Sequence, residues 1–424
     1  MRIQVDSTWE LNMSVNLAAR IFDLPGQCIE SISLDEERNV VRITSRRDHR
    51  TRPIDVATGR SGSTNRILRR VIEDLPIAGK RSEVEFEYIE VYVSRNNRRV
   101  EKLEFTDKKM RVTHRYARYI SGLCRHMPIA AVARHTGLHW DTVKRIDRAW
   151  LKANLPSARP GLLENLRYIG VDEVARVKGR EYVTVVYDLM SGEVIWVGEG
   201  RTADTLGGFL SALSEETAAG IEAVAMDMGK AYQAAVKEWL PDADIVFDHF
   251  HVMQLATKAV DRVRKAEQRK ADEPCKSLYK HIHWLLLRNG ETLGEQQVAK
   301  LDALFLQAPA LHMAWLLKEE LRTLWRDASS YESMQKHLQT WCGMAENSGI
   351  SAFVKLAQSL RKHTQGICNY AKHRLTSASV EAGNVSVGMI RKRARGIRDT
   401  EYFRLKVRQI TMPDSSGLSG NLRG

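Results

Sequence analysis

Three acidic residues fall where carboxylates could be gathered into one site. Asp172 closes the apolar run Tyr168-Ile169-Gly170-Val171, and Asp227 closes Ala223-Val224-Ala225-Met226. Glu381 opens a segment with helical spacing. There Glu381, Asn384, Gly388, Arg391 and Arg395 share one face, and Val387, Ile390 and Ala394 form the opposite, buried stripe. Hard divalent cations take oxygen ligands, and Mg2+ needs only a few from protein. Two such ions about 3.5–4 Å apart can activate a water or a hydroxyl and stabilise the leaving oxygen of an in-line displacement at phosphorus. A single acid at a strand end usually just starts a loop, and a glutamate at a helix start also suits the helix dipole. Agreement among the three carries the metal reading. Arg391, Lys392, Arg393 and Arg395 beside Glu381 are suited to phosphate oxygens. Glu173, Asp248 and Glu346 are alternative acids. Asp248 and His251, in Phe247-Asp248-His249-Phe250-His251, could orient a water or touch a substrate, or be structural.

Strands and helices must place these groups. Tyr168–Asp172, Tyr182–Asp188 and Val194–Gly198 read as three antiparallel strands, the last two joined by a turn at Ser191-Gly192. A helix over Thr202–Leu213, a fourth strand at Ala223–Asp227, a helix over Ala231–Leu240 and a fifth strand at Ile245–Asp248 follow. The order β-β-β-α-β-α-β is RNase-H-like, and it puts the first and fourth strands side by side at the centre. Residues 252 to about 345 read as entirely helical, with Leu301, Leu304, Phe305 and Leu311 at amphipathic spacing. A last long helix spans about 379 to 395, and the tail from Ser415 to Gly420 is expected to be disordered.

The first half of the chain has a different character. Residues 1 to about 112 read as short strands with a helix or two, alternating at Val40–Thr44 and Val84–Val93. Between them Arg46, Arg47, Arg50, Arg52, Arg60, Arg66, Arg69 and Arg70 form either a solvated loop or a phosphate-contacting surface. Pro128 to Ile146 reads as a helix-turn-helix: Ala133 lets the helices approach, Gly137 turns the chain, and Val143 and Ile146 return as a buried face. Thr142, Lys144 and Arg145 then point outward on a helix that could enter a major groove. An ordinary helical hairpin is the plainer alternative. Leu155-Pro156-Ser157-Ala158-Arg159-Pro160-Gly161 reads as a linker.

Composition agrees with a polyanionic partner. The 424 residues carry 65 Lys+Arg against 52 Asp+Glu, a formal charge of +13. None of the five cysteines lies at CxxC spacing, which argues against a zinc site or a disulfide framework and for a reducing compartment. The N-terminus has no apolar signal region, and no apolar run nears the ~18 residues of a membrane span.

Taken together, these motifs resemble bacterial insertion-sequence transposases of the DDE type, in the IS-L-three group. The resemblance runs in order from about residue 40 to 408. Asp74–Lys80 resembles that group's pre-strand segment, and Ile129–Ile146 its helix-turn-helix, including Trp140-Asp141-Thr142-Val143-Lys144. Ile169-Gly170-Val171-Asp172-Glu173 is similar to its first catalytic strand, Met226-Asp227-Met228 with Tyr232 to the second Asp site, and Val246–Val252 to its fifth strand. Glu381, Asn384, Arg391, Lys392, Arg393, Ala394 and Gly396 match its C-terminal Glu motif.

The resemblance implies a catalytic triad of Asp172, Asp227 and Glu381. It implies Mg2+-dependent hydrolysis at transposon ends, then attack of the freed 3′-hydroxyl on target DNA. Two departures stand out. The family's zinc ribbon has paired cysteines, whereas the corresponding positions here read Arg52-Pro53-Ile54-Asp55-Val56 and Tyr92-Val93-Ser94-Arg95-Asn96. Ala382 and Gly388 replace the usual Gly and Lys.

The expected architecture is therefore an α/β RNase-H-like core, a mixed five-stranded sheet with helices and an all-α insertion, preceded by a helix-turn-helix and a small β-rich module. The expected boundaries are 1–112 for the β-rich, cysteine-free ribbon and 113–160 for the helix-turn-helix. The core would occupy 161–265 and 351–410, split by a helical insertion at 266–350, with a flexible tail at 411–424. The expected function is an insertion-sequence transposase with two Mg2+ ions, Mn2+ as a substitute and no zinc. Its expected partners are the terminal inverted repeats and target DNA, bound by a homodimer or larger assembly, in the cytoplasm on the bacterial nucleoid and with no membrane. The alternatives are a transposase-derived regulator that binds without cutting and a general RNase-H-like nuclease.

Overall fold

Charged and apolar residues alternate at Glu83-Val84-Glu85-Phe86-Glu87-Tyr88 within Lys80–Ser94, and this stretch pairs with Ser63–Ile77, each forming a strand of 15 residues. The computed structural model describes residues 21–55, 57–94, 97–155, 161–177, 180–375, 378–394 and 399–411. These divide into two compact units on either side of the boundary between Leu155 and Pro156. The 1–20 segment, most of the Leu155–Gly161 linker and the tail beyond 411 lie outside the described residues.

In the first unit, β1 (Gln27–Asp35), β2 (Val40–Arg47), β3 (Ser63–Ile77), β4 (Lys80–Ser94) and β5 (Asn97–Val100) form one sheet. Its order is β1-β2-β4-β3, with β5 also on β4. Ala78 and Gly79, at φ 49° and 76°, make the two-residue turn from β3 to β4. The Asp74–Lys80 segment is thus the end of β3 with its hairpin turn. Ile43, Ile72, Val84, Phe86 and Phe105 fill the core beneath the sheet.

The arginine-dense stretch is neither one loop nor one open basic surface. Arg66 and Arg69 lie on β3 and pair across the sheet with Glu90 and Glu87, at 3.1 and 2.9 Å. Arg46 pairs with Glu30, and Arg50 with Asp48. Arg70 donates to the carbonyls of Asp107 and Met110. Buried Arg47 grips Glu101, whose carboxylate also accepts the Ile89 amide. Strand register explains Arg66 and Arg69, which stand opposite Glu90 and Glu87 on β4.

Three helices complete this unit: α1 (His114–His126), α2 (Ile129–Thr136) and α3 (Trp140–Asn154). Thr113 caps α1 and donates its hydroxyl to buried Asp74, which also accepts from Arg115. Gly137 stops α2 at φ 75°, the left-handed geometry glycine adopts without strain, as its position in the motif predicts. Val132, Val143 and Ile146 are buried together with Tyr116 and Ile120.

The second unit begins with β6 (Tyr168–Val177), β7 (Glu181–Asp188) and β8 (Val194–Glu199), then α4 (Ala203–Leu210) and α5 (Glu215–Gly220). Next come β9 (Ala223–Met226), α6 (Lys230–Trp239) and β10 (Asp244–Phe247). A run of helices follows: α7 (His249–Lys270), α8 (Glu273–Leu287), α9 (Glu295–Phe305), α10 (Pro309–Arg326), α11 (Tyr331–Asn347), α12 (Ser351–Lys362) and α13 (Thr364–His373). Helices α14 (Ala378–Ala394) and α15 (Thr400–Thr411) end the described chain.

The sheet order is β10-β9-β6-β7-β8. β6, β7 and β8 are antiparallel neighbours, whereas β9 runs parallel to β6 and β10 parallel to β9. Two expectations are corrected. β6 does not stop at Asp172: Val174 is buried, and pairing with β7 continues to Val177. The helix expected over Thr202–Leu213 ends at Leu210, and a second one starts where Ser214 caps α5.

The sheet buries both faces. Ile169, Val171, Val224, Met226 and Phe247 pack with residues of α4, α6, α7 and the later helices. On the other face Val174, Val183, Val185 and Tyr187 pack with Val387 and Ile390 of α14 and Phe403 and Val407 of α15. Among the described residues, no helix is long and apolar enough to cross a membrane.

Candidate active site

Parallel pairing fixes the two aspartates relative to each other. The β6–β9 ladder ends at Gly170↔Ala225, and Asp172 and Asp227 each lie two residues further on. The β9–β10 ladder ends at Met226↔Phe247, and Asp227 and Asp248 each lie one residue further on. Three aspartates therefore stand in one row across neighbouring strands, whose spacing is about 4.7–4.9 Å. Side chains alternate along a strand. Since Ile169, Val171, Val224 and Met226 face one core, the aspartates Asp172 and Asp227 face the other. That second face is the one covered by α14.

Each carboxylate is held locally. Asp172 Oδ1 accepts the Glu173 amide at 2.7 Å, and Asp227 Oδ1 accepts the Gly229 amide at 2.9 Å. A Cβ on Gly229 would lie 2.7 Å from Asp227 Oδ1, so a glycine keeps this turn open. Asp248 caps α7, accepting from Phe250 N with Oδ1 (3.0 Å) and from His251 Nδ1 with Oδ2 (2.8 Å). Asp172 and Asp227 remain half-exposed, whereas the Asp248 side chain is only 8% exposed.

Neighbouring groups register the concentrated negative charge. Burial, and then the charge of Asp172, pushes the Tyr187 hydroxyl above its ordinary value. Tyr232 donates to or accepts from Thr184 at 2.8 Å, and its pKa is raised to about 12, chiefly by burial, with Glu173, Asp227 and Asp172 adding. His251 is raised by its hydrogen bond to Asp248, against burial, with the charges of Asp248, Asp172 and Asp227 adding. Aspartate oxygens gathered at one sheet end suit a hard divalent cation rather than a soft one. Among the described residues, no group of three His, Cys, Asp or Glu side chains is placed to hold a metal ion. The Glu381 side chain lies outside the described residues, although its backbone is in the first turn of α14.

Helix α14 is drawn onto the sheet by a contact that the sequence alone did not point to. A Cβ at Gly383 would lie 2.4 Å from the Tyr187 ring, so only glycine allows this approach, two residues after Glu381. Val387 and Ile390 are buried against the sheet as their spacing predicts. Arg391 Nη1 donates to the Ala175 carbonyl of β6 at 2.8 Å, which ties the far end of α14 to the same strand. A glycine inside a helix is the signal that could have exposed Gly383, because it costs about 1 kcal/mol relative to alanine unless something needs the space. Gly388 shows that the signal is ambiguous, since a Cβ there meets nothing within 4 Å.

The other expected site residues are more scattered. Lys392 and Arg393 are exposed near the end of α14. The Asn384 side chain and all of Arg395 lie outside the described residues. On α3 Arg145 is exposed, and Thr142 and Lys144 are half-exposed. Of the alternative acids, Glu173 pairs with Arg201 at 3.3 Å, and Glu346 makes two 2.9 Å bonds to Arg361 on the next helix. Only Asp248 joins the row.

The comparisons with known proteins converge. Residues 169–407, more than half of the chain, match a transposase family of the ISL3 DDE type. Residues 101–151 match the helix-turn-helix domain of transposase family ISL3. The chain is 38% identical over 316 residues to the transposase for insertion sequence element IS1001 of Bordetella parapertussis, covering 73% of this chain and 76% of that protein. It is 32% identical over 285 residues to the transposase for insertion sequence element IS1557 of Mycobacterium tuberculosis, covering 62% and 60%. The two matched segments follow each other in the expected order, so the chain belongs to the ISL3 family of insertion-sequence transposases, enzymes that cleave DNA and transfer its strands.

Proposed function

We propose that Asp172, Asp227 and Glu381 form the catalytic centre of an RNase-H-like core whose α7–α12 region is an all-α insertion. The row of Asp172 and Asp227, on the sheet face covered by the helix that carries Glu381, supports this reading most strongly. DDE transposases generally use a divalent metal; here two Mg2+ ions, with Mn2+ as a substitute, would supply Lewis-acid charge and an activated water or 3′-hydroxyl. The chain's own part is placement. Asp172 and Asp227 offer oxygens from a rigid sheet end. Gly383 seats α14 against Tyr187 of β7, and Arg391 ties it to Ala175 of β6, the strand that carries Asp172. Lys392 and Arg393, with Asn384 and Arg395, serve the phosphates flanking the cut.

Helix α3 reads the terminal inverted repeats through Thr142, Lys144 and Arg145, and a homodimer or larger assembly pairs two ends before target attack. The β-rich module is a ribbon remnant without metal. The protein works on the nucleoid in the cytoplasm.

The test uses purified protein and labelled DNA that flanks the gene, with Mg2+ or EDTA, and sequences new 3′ ends. Defined Mg2+-dependent cuts at a repeat, abolished by Asp227→Ala and by Glu381→Ala, are expected. Specific binding without any cut would replace this reading with that of a DNA-binding regulator.

A further inference from the structure

We propose that Asp248 and His251 act as a pair on the strand being cut, His251 contacting the scissile phosphate and Asp248 positioning the imidazole. The inference rests on the catalytic reading of Asp172 and Asp227. Asp248 stands third in the aspartate row, yet its two oxygens are already used within α7, one by the Phe250 amide and one by His251 Nδ1. Its side chain is almost closed to solvent, whereas that of His251 is 32% exposed. The carboxylate is thus turned away from ligand duty and toward fixing a ring. With Nδ1 engaged, Nε2 is the ring nitrogen left to face a substrate.

The ring also belongs to the centre. His251 senses the charges of Asp172 and Asp227 as well as that of Asp248, and all three favour its imidazolium. An imidazolium donates from both nitrogens. With Nδ1–H held by Asp248, a ring that takes up a proton as a phosphate oxygen binds at Asp172 and Asp227 would donate it from Nε2. The nearby Tyr232 is already engaged with Thr184, so it does not compete for this role.

The pair can be tested by replacing one nitrogen at a time. His251→Gln places an amide donor near the Nε2 position, and His251→Asn places one near Nδ1. Single-turnover cleavage of the gene-flanking duplex would be measured in Mg2+, the duplex dissociation constant in Ca2+, and the 15N shifts of the His251 ring in the free protein. Asp248→Asn is expected to move the ring shifts and slow cleavage about 10- to 100-fold, the usual range for losing a group that orients a site. His251→Asn is expected to lose roughly 10²-fold or more, and His251→Gln to recover most of that loss. Duplex affinity is expected to change less than about twofold in all three, because many phosphate contacts share it.

Cleavage by His251→Asn at the wild-type rate, or ring shifts unmoved by Asp248→Asn, would overturn the pair while leaving the transposase centre standing. A wild-type protein that binds the duplex but never cuts it would remove both. Asp227→Ala, run alongside, identifies any contaminating nuclease.

Discussion

Both sheets are rich in carboxylates and use them in opposite ways. On the first sheet, Glu87 and Glu90 each face an arginine across the strands, and Glu101 is buried against Arg47. On the second sheet, Asp172, Asp227 and Asp248 stand next to one another; burial first and then aspartate charge raise Tyr187 and Tyr232, and the hydrogen bond to Asp248 raises His251. The first arrangement neutralises charge and stabilises a fold. The second accumulates charge that the fold alone does not require. A carboxylate's type says little about its role; its neighbours across the strand say more.

The sharpest way to break the comparison is to remove one acid from each sheet. Asp227→Ala is expected to lower single-turnover DNA cleavage by more than about 10³-fold, since metal-held charge stabilisation amounts to several kcal/mol. Its thermal midpoint should hold or rise, because a like-charged neighbour is gone. Glu101→Ala should do the reverse. Leaving Arg47 buried without its partner costs about 3–5 kcal/mol, read as a loss of urea stability in the first unit. A stable Glu101→Ala protein, or an unfolded Asp227→Ala protein, would erase the distinction.

Gly383 sharpens it next. Gly383→Ala pushes a methyl into the Tyr187 ring and should shift α14 enough to slow cleavage about 10²-fold, the usual cost of a 1 Å misplacement. Gly388→Ala is the control, with open space at its Cβ and cutting expected to be intact. The smallest effect belongs to Glu87→Ala, where an exposed partner, Arg69, makes the pair weak. Its thermal midpoint should stay within measurement error.

Much of the second sheet was legible because its strands are short, apolar and end in recognisable acids. The parallel register that lines up Asp172 with Asp227 follows from that. The reach of β6 beyond Asp172 was not legible, since Glu173 and Arg176 break the apolar run although Val174 is buried. In the first unit, Gly137 announced the turn between α2 and α3. The long β3–β4 ribbon hid because its arginines resemble a loop until their glutamate partners are seen on the next strand. Gly383 could be noticed only as a glycine inside a helix, a sign that Gly388 shares; its partner Tyr187 lies almost two hundred residues away.

The bond from Arg391 to Ala175 spans 216 residues, and it has a consequence for how the protein is made. Chains emerge from the ribosome N-terminus first, at roughly 5–20 residues per second, and fold unit by unit. The helix-turn-helix is complete before any of the aspartate row exists. The row itself then waits for α14, which emerges among the last residues of the chain. During that interval the nascent protein has its helix-turn-helix but lacks the helix that packs on the aspartate face of the second sheet. A chain cut short before Ala378 would keep the helix-turn-helix and lose the bond from Arg391 to Ala175, and it is expected to compete with the full-length protein for the same DNA.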